Sequence, residues 1–484
     1  MMKNFKVMKK LKKYTYLLHR YLGIILAPII LLWSFSGLVM MYVPYPKLAE
    51  VERLQLLPEI VDFSCCNADF YEQILPVNIQ GLSIEMLNNE PIIKLESTRS
   101  GNTSYHLNSQ TLLAEIDQQM ALSIAKAALP SGIESIENIE KIEQDQWTVY
   151  SKYNKHRPLF KVSFADEESS QLYVSSKSGE VVQLTTAFQR NWSWVGAVTH
   201  WLYPTFLRKH TSLWYWLVIW LTIFSLVLLM TGVWLGIKQL KKRKNKPLSP
   251  YRGMRLVHHW GGVIISAILF SFLLSGLLSM NPWGVLESKR FSTDSVLGKQ
   301  AGRLAVIDSL TNLPNTLWQT GFVSLKLSPW NNEVYWLAAD TKGAVIRYDK
   351  NFSISKLPQT ELTAAGNKLS GGADITQGLI WQEDEYYYAH KDNIELPIWK
   401  VERVNGESTE LFYLSPSTGE MRKNIDNNGR IYRWLFKALH RWDFSQSIRQ
   451  RPVWDFSLVP FMLFLILFSF SGCYIAVQRL RSKF

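Results

Sequence analysis

Four long apolar runs constrain the fold of this chain more than any other feature. Each run has between 22 and 25 residues and contains no charged side chain. An α-helix rises about 1.5 Å per residue, so about 20 residues cross the hydrocarbon core of a bilayer. We therefore predict a membrane α-helical protein with four transmembrane helices. The runs are Leu22–Val43, Leu213–Ile237, Trp260–Trp283 and Phe456–Val477.

The net charge of +13 is concentrated beside these apolar runs. Residues 1–20 contain seven Lys or Arg and residues 238–257 contain eight, and neither segment contains an acid. Arg479, Arg481 and Lys483 follow the last run. Basic flanks of this kind mark the cytoplasmic side of a membrane protein. We predict a multi-pass protein of the bacterial inner membrane with both termini cytoplasmic. Membrane lipid accounts for the basic charge, so we expect no nucleic acid partner.

The runs and charges divide the chain into seven segments. The two long ones, 44–212 and 284–455, are predicted to be exported, each as an α+β module that ends in an interfacial helix. Strand candidates in the first module are Tyr105–Leu113, Trp147–Tyr150, Leu159–Phe164 and Gln171–Val174. The other segments are 1–43, the basic N-terminus with the first transmembrane helix; 213–237, the second helix; 238–259, a basic cytoplasmic loop; 260–283, the third helix; and 456–484, the fourth helix with a cytoplasmic tail.

The chain contains an internal repeat with a period of about 240 residues. The segment His19-Arg-Tyr-Leu-Gly23 corresponds to His258-His-Trp-Gly-Gly262, and each is followed by Ser-Gly-Leu, at Ser36 and at Ser275. We predict two tandem pseudo-symmetric halves of equal topology, related by an axis along the membrane normal. Further matches are Arg190 with Arg430, Trp194 with Trp434, and His200 with His440.

The repeat selects four of the nine histidines, because only these have a histidine at the corresponding position. His19 and His258, the inner pair, begin spans on the cytoplasmic side. His200 and His440, the outer pair, precede spans on the other side. A twofold axis would bring each pair face to face, and two facing imidazoles suit a six-coordinate haem iron. We predict two b-type haems whose iron is bound by these same four histidines. His259 is an alternative to His258.

The outer site requires helices that reach the membrane interface, predicted at Trp192–Leu202 and Tyr432–Trp442. Four glycines, Gly37, Gly232, Gly276 and Gly472, lie at the levels of the two sites. They would admit either a flat macrocycle or a closely packed helix. Arg190 and Arg430 are either partners for haem propionates or ordinary surface arginines.

The chain resembles the PepSY-associated transmembrane family. The similarity lies in His19-Arg-Tyr-Leu-Gly23, the Ser-Gly ends of the spans, Tyr386-Tyr-Tyr followed by Leu396-Pro-Ile-Trp-Lys400, Arg433-Trp-Leu-Phe-Lys-Ala-Leu-His-Arg-Trp-Asp-Phe444 and Arg451-Pro-Val-Trp-Asp455. This resemblance implies four helices with two exported PepSY-like modules, as in iron-regulated membrane proteins and di-haem ferric-siderophore reductases. The first half departs from the pattern, because Thr199-His200-Trp201-Leu202-Tyr203 lacks the Asp-Phe of the second half.

These features predict electron transfer across the membrane from an inner to an outer haem and on to an exported acceptor. Ferric-siderophore iron is the acceptor that the resemblance suggests, which would make the protein a haem-dependent oxidoreductase. No dinucleotide-binding motif is found, so a quinol or a separate reductase must be the electron donor. The alternative is a membrane-anchored PepSY module that binds or regulates secreted peptidases, or assists iron uptake, without redox activity. A transporter is disfavoured because the spans contain no ionisable side chain for ion coupling.

Overall fold

A bundle of long helices and a set of antiparallel sheets make up the structure. The computed structural model describes residues 2–61, 66–79, 81–96, 103–129, 136–240, 247–288, 293–314, 317, 320–390 and 393–482. Within these residues the α-helices are α1 (Met2–Met40), α2 (Glu50–Gln55), α3 (Ala68–Ile74), α4 (Gln118–Ala128), α5 (Ala187–Ser193), α6 (Thr205–Arg208), α7 (Thr211–Gln239), α8 (Met254–Ser279), α9 (Arg303–Thr311), α10 (Gln359–Ser370), α11 (Asn427–Tyr432), α12 (Leu439–Arg441), α13 (Gln446–Arg449) and α14 (Val453–Arg481).

Helices α1, α7, α8 and α14 are long and apolar enough to cross a membrane. Both α1 and α8 pack against α7 and α14, so the four helices form a closed bundle. Its centre is filled by leucines from all four, including Leu26, Leu228, Leu269 and Leu465. Large apolar side chains such as Ile25, which is 64% exposed, cover the outside, where a lipid-facing surface is expected. The structure thus contains the four membrane helices that the sequence predicts.

Helix α8 differs from the predicted span at both of its ends. It begins at Met254 rather than Trp260, so His258 and His259 lie inside the helix. It stops at Ser279 rather than Trp283, because Pro282 has no N–H to continue the helix and disfavours the helical conformation of Asn281. Asn281 adopts the left-handed conformation, with φ of 46°.

The two long segments leave the bundle at one common end, here called the domain end. At that end Tyr42, after α1, donates a hydrogen bond to Asp455 of α14 at 3.1 Å. Tyr215 of α7 likewise donates to the carbonyl of Asn281 after α8 at 3.3 Å. The strands of the first segment are β1 (Asn78–Ile79), β2 (Gly81–Leu87), β3 (Glu90–Glu96), β4 (Thr103–His106), β5 (Thr111–Leu112), β6 (Ile136–Ile142), β7 (Leu159–Phe164), β8 (Gln171–Ser175) and β9 (Val181–Thr185).

The second segment contributes the remaining strands. These strands are β10 (Ala301–Gly302), β11 (Phe322–Leu327), β12 (Tyr335–Asp340), β13 (Val345–Asp349), β14 (Asp374–Ile380), β15 (Ile398–Asn405), β16 (Ser408–Leu414) and β17 (Met421–Ile425). The four-stranded sheet of the second segment has the order β14-β15-β16-β17, and the first segment has a sheet of order β6-β7-β8-β9. A two-stranded sheet pairs β1 with β10.

A seven-stranded sheet of order β13-β12-β11-β2-β3-β4-β5 contains strands from both long segments. At its centre β11 pairs antiparallel with β2, and Ser324 lies opposite Glu85. The sequence predicts one α+β module in each segment, whereas this sheet joins the two segments into one body. The physical reason is that β2 and β11 are both almost wholly buried, and pairing covers edges that each strand would otherwise expose.

Two short helical segments lead from the sheets back to the bundle. The first consists of α5 followed by a π-helical turn at Trp194–Val198, and the second of α11, a π-helical turn at Arg433–Ala438 and α12. Thr186 and Asp426 cap their N-termini through side-chain oxygens that accept backbone N–H bonds. Helices are therefore present where the interfacial ones are predicted, although both begin earlier and contain the unpredicted wider turn.

Candidate functional site

The inner pair lies inside the bundle, with one histidine on α1 and the other on α8. The ring centroids of His19 and His258 are 6.4 Å apart, and the ring planes are inclined by 47°. Phe468 of α14 stacks on the ring of His258 at a centroid distance of 5.0 Å. The two histidines that the repeat matches therefore face each other.

The outer pair lies at the domain end, on the two short helical segments that follow the sheets. The ring centroids of His200 and His440 are 6.0 Å apart, with the planes inclined by 62°. Phe436, in the π-helical turn, stacks on His440 at 5.3 Å. Burial lowers the pKa of His200 to about 4 and that of His440 to about 3, so both imidazoles are neutral.

Each of the four imidazoles is anchored through Nδ1 to a neighbouring helix in the same way. Nδ1 of His200 lies 3.1 Å from the carbonyl oxygen of Trp33 and 3.2 Å from the hydroxyl of Ser36. Nδ1 of His440 lies 3.2 Å from the carbonyl of Phe272 and 3.0 Å from the hydroxyl of Ser275. A main-chain carbonyl and a hydroxyl three residues later thus hold each outer ring.

The inner pair repeats this arrangement on α7 and α14. Nδ1 of His19 lies 3.1 Å from the carbonyl of Leu228 and 3.3 Å from the hydroxyl of Thr231. His258 bonds the carbonyl of Phe468, and its Nδ1 lies 3.1 Å from the hydroxyl of Ser471.

The anchors determine which ring nitrogen is available to a ligand. A carbonyl oxygen can only accept, so Nδ1 must carry the proton. The hydroxyl groups lead to the same assignment. Each already donates its own hydrogen to a carbonyl within its helix, as Ser275 does to Ser271 at 2.6 Å, so it can only accept from Nδ1. Nε2 therefore keeps its lone pair, and no described residue forms a hydrogen bond with Nε2 of any of the four rings. Orientation of this kind is typical of histidines that bind metals.

The four glycines make room for the imidazole rings. A Cβ added at Gly232 would lie 2.7 Å from Cε1 of His19, and one at Gly37 would lie 3.3 Å from Cε1 of His200. A Cβ added at Gly276 would lie 3.5 Å from Cε1 of His440, and one at Gly472 would lie 3.3 Å from Cε1 of His258. The sequence is compatible with either a macrocycle or a closely packed helix at these glycines, but in the structure the group directly against each glycine is a histidine ring.

His259, the alternative to His258, is used elsewhere in the structure. Its Nε2 lies 2.9 Å from the carbonyl of Gly236, and its Nδ1 lies 2.8 Å from the hydroxyl of Ser249. Both nitrogens are thus engaged in holding α7 and the segment before α8 together. His258, and not His259, faces His19.

A cavity of about 1600 Å³ surrounds the outer pair. It extends from apolar side chains of the bundle, such as Ile30 and Leu269, to residues of both long segments. Three cations of the second half, Lys423, Lys437 and Arg441, line it, and none of them is among the residues predicted from the sequence. The two arginines predicted as candidates lie elsewhere: Arg190 donates to Thr185 and Ser169, and Arg430 lies over the ring of Tyr386.

The bundle and the extramembrane sheets define a multi-pass membrane protein with a histidine pair near each end of its bundle. The family model described as the PepSY-associated TM region matches residues 102–316, which include α7 and α8. The resemblance to this family is thereby confirmed, over somewhat less than half of the 484 residues. No curated protein matches the chain.

Proposed function

We propose that this chain is a di-haem b protein that transfers electrons across the bacterial inner membrane to exported ferric-siderophore iron, with both termini in the cytoplasm. The observation that carries the proposal is the anchoring of two histidine pairs, each with Nδ1 engaged and Nε2 free. The electron donor is a quinol or a separate reductase.

The spacing of the rings fits one metal ion between the two members of each pair. A metal–imidazole bond is about 2 Å long, so two rings on opposite sides of one ion have centroids roughly 6 Å apart. The measured separations are 6.4 Å for the inner pair and 6.0 Å for the outer pair. Among the residues that the structure describes, no group of three or more His, Cys, Asp or Glu side chains could hold an ion. A macrocycle that supplies the other ligands therefore suits these pairs better than a bare ion.

The chain's own residues orient the ligands. Carbonyls and hydroxyls of all four membrane helices fix the tautomer and the direction of the rings, while the glycines let the rings sit close to these helices. Haem, when bound, supplies one-electron transfer. His19 and His258 would hold the group that receives electrons, and His200 and His440 would hold the one nearest the exported acceptor.

The matched anchors support two tandem pseudo-symmetric halves as part of the proposal. Trp33 and Phe272 occupy corresponding positions in the repeat, and so do Ser36 and Ser275. The four-stranded sheet of each half, with α4 or α10 packed against it, is the candidate PepSY-like module.

The proposal is tested by the visible spectrum of the protein purified from haem-replete cells, recorded before and after dithionite. We expect a bis-histidine b-type spectrum and about two haems per chain. His19→Ala and His440→Ala should each remove about one haem, because each leaves one iron with a single protein ligand. The exposed His210, at the start of α7, provides the matched control: His210→Ala should retain both haems.

A colourless wild-type protein that is folded by circular dichroism would reject the proposal. Full haem content in both ligand variants would reject the pairing. The colourless protein would favour the alternative of a membrane-anchored module without redox activity, whereas full haem content in both variants would require other residues as the haem ligands.

A further inference from the structure

The outer cavity has an uneven distribution of charge. Lys423, Lys437 and Arg441 line it from the second half. The charged residues that line it from the first half are Lys47, Glu52 and Glu168. The lining therefore has a positive side, formed by residues close to His440, and a nearly neutral side.

The positive side is a property of the second half alone. In the repeat, Lys423 corresponds to Gln183, Lys437 to Ala197 and Arg441 to Trp201. All three cations are replaced by uncharged residues in the first half, although the histidines and their anchors are the same. Holding a histidine ring therefore does not require these cations.

The cations have little compensating negative charge. Lys437 has neither a hydrogen bond nor an ion pair with any described residue, and Arg441 lies 3.9 Å from Asp443, its nearest carboxylate. Asp443 already accepts a hydrogen bond from Tyr388 at 2.8 Å and lies 3.3 Å from His390. Among the described residues, Lys423 donates a hydrogen bond only to the carbonyl of Tyr386. The carboxylate of Asp384 also acts on Lys423, but it is already paired with Lys400 at 2.9 Å.

Burial and mutual repulsion disfavour the charged forms of the lysines in this cavity. Burial, together with Lys437 and other nearby cations, lowers the pKa of Lys423 to about 8. Burial and the neighbouring arginines also lower the pKa of Lys437. A bound anion would relieve both the repulsion and the desolvation of these side chains.

We infer that the outer cavity selects an anionic ferric chelate, one that presents carboxylate or catecholate oxygens, and that Lys423, Lys437 and Arg441 hold it beside the outer pair. This inference rests on the proposed function. It specifies that the electron acceptor is a ferric chelate with a net negative charge. Pockets for drug-sized ligands measure about 300–1000 Å³, so a cavity of about 1600 Å³ has room for a macrocycle and a second ligand.

The reaction on the acceptor is a single reduction. One electron from the donor, a quinol or a separate reductase, would reach ferric iron by way of the group that His200 and His440 would hold. The donor is oxidised, the ferric iron becomes ferrous, and no bond to the protein forms or breaks. Hard oxygen ligands hold ferrous iron less tightly, which favours release. The three cations bind and position the chelate, and they take no part in the electron transfer.

Binding can be measured without electron transfer by using gallium(III), which is not reduced under these conditions. We would titrate the oxidised full-length protein with gallium citrate, which is anionic, and with gallium ferrioxamine B, which is cationic. Calorimetry should show tighter binding of the citrate complex, and this preference should weaken as ionic strength rises. Lys437→Gln and Arg441→Gln should each weaken citrate binding about tenfold, as expected for loss of a charged hydrogen bond.

Lys126→Gln, on the exposed face of α4, changes the net charge equally and should leave citrate binding unchanged. Equal affinity for the two complexes in the wild type would overturn the inference. So would variants that lose outer haem but bind citrate normally, because the cations would then serve the carboxylates of the haem. A protein that contains no haem but prefers the citrate complex would refute the proposed function and leave the binding site standing.

Discussion

At the scale of single residues, each paired histidine depends on three atoms of a neighbouring helix: a carbonyl oxygen, a hydroxyl oxygen and the α-carbon of a glycine. The hydroxyl and the glycine are consecutive in sequence, as in Ser36-Gly37 and Thr231-Gly232. The Ser-Gly and Thr-Gly pairs that end the spans are therefore parts of the site, because one residue accepts from Nδ1 and the next leaves space for the ring.

The closest of these contacts gives a residue-scale prediction. Gly232→Ala would place a methyl group 2.7 Å from Cε1 of His19, so the ring must move away from its anchors. We expect loss of the inner haem and retention of the outer one, measured as haem per chain by the pyridine haemochrome assay. Gly378→Ala, where an added Cβ meets no atom within 4 Å, is the control. An unchanged haem content in Gly232→Ala would contradict the assigned role of this glycine.

Sequence comparison within the chain could find the histidines but not everything around them. The repeat selected His19, His200, His258 and His440 because each has a counterpart. The same filter conceals residues that only one half possesses, which is why Lys437 and its neighbours were missed. Hydrogen bonds to main-chain carbonyls cannot be recognised in a sequence. The tautomer of the four histidines could therefore be assigned only from the structure.

At the scale of elements, composition alone predicts some strands wrongly. Leu159–Phe164 is a strand with the predicted bounds. Trp147–Tyr150 is rich in aromatic and β-branched residues, yet it forms a turn. The carboxylate of Asp145 accepts bonds from the N–H of Trp147 at 3.0 Å and the hydroxyl of Thr148 at 2.9 Å. This local capping outweighs the strand preference of the residues that follow.

The pairing of β2 with β11 depends on a buried carboxylate. Glu85 lies 2.6 Å from Lys94 and 2.9 Å from Arg53, and it accepts from Ser324 of β11 at 3.2 Å. Burial would raise the pKa of Glu85, but the two cations outweigh it and lower the pKa to about 2. Because the folded-state pKa is depressed, this stabilisation is complete above the pKa of about 4.3 expected in the unfolded chain. It is lost as the pH falls from there towards 2.

Glu85→Gln tests this element-scale interaction. It leaves two nearly buried cations without their shared carboxylate, so we expect the free energy of unfolding at pH 7 to fall by about 3 kcal/mol. The fall in stability between about pH 4.3 and 2 should also become smaller. Denaturant unfolding followed by circular dichroism measures both effects. Glu140→Gln, which removes a surface ion pair with Lys161, should cost less than about 1 kcal/mol. Equal losses in the two variants would refute this role of Glu85.

At the scale of the whole molecule, both histidine pairs and the central strand pair join the two halves. His19 and His200 come from the first half, whereas their facing partners, His258 and His440, come from the second. Helix lengths and basic flanks were enough to predict the bundle, because both follow from local composition. The joint sheet could not be predicted, since the strands that pair are far apart in sequence and edge pairing has no local signature.

A split protein tests this whole-molecule arrangement. When the chain is divided between α7 and α8 and both parts are co-expressed, we expect them to co-purify through one tag and to carry both haems. Each part expressed alone should bind no haem, because it supplies only one histidine to each pair. The measurement is haem per tagged chain after affinity purification. Stable haem binding by either part alone would refute sites shared between the halves.

The central strand pair also has a consequence for synthesis in the cell. A ribosome completes β2, His19 and His200 before it reaches β11, His258 and His440. Until the second half has been translated and inserted, the first half has only two of the four bundle helices, an open strand edge and one histidine of each pair. If the proposed function holds, we therefore expect cofactor loading to come late in biogenesis, and we expect a first half made alone to aggregate through its open strand edge.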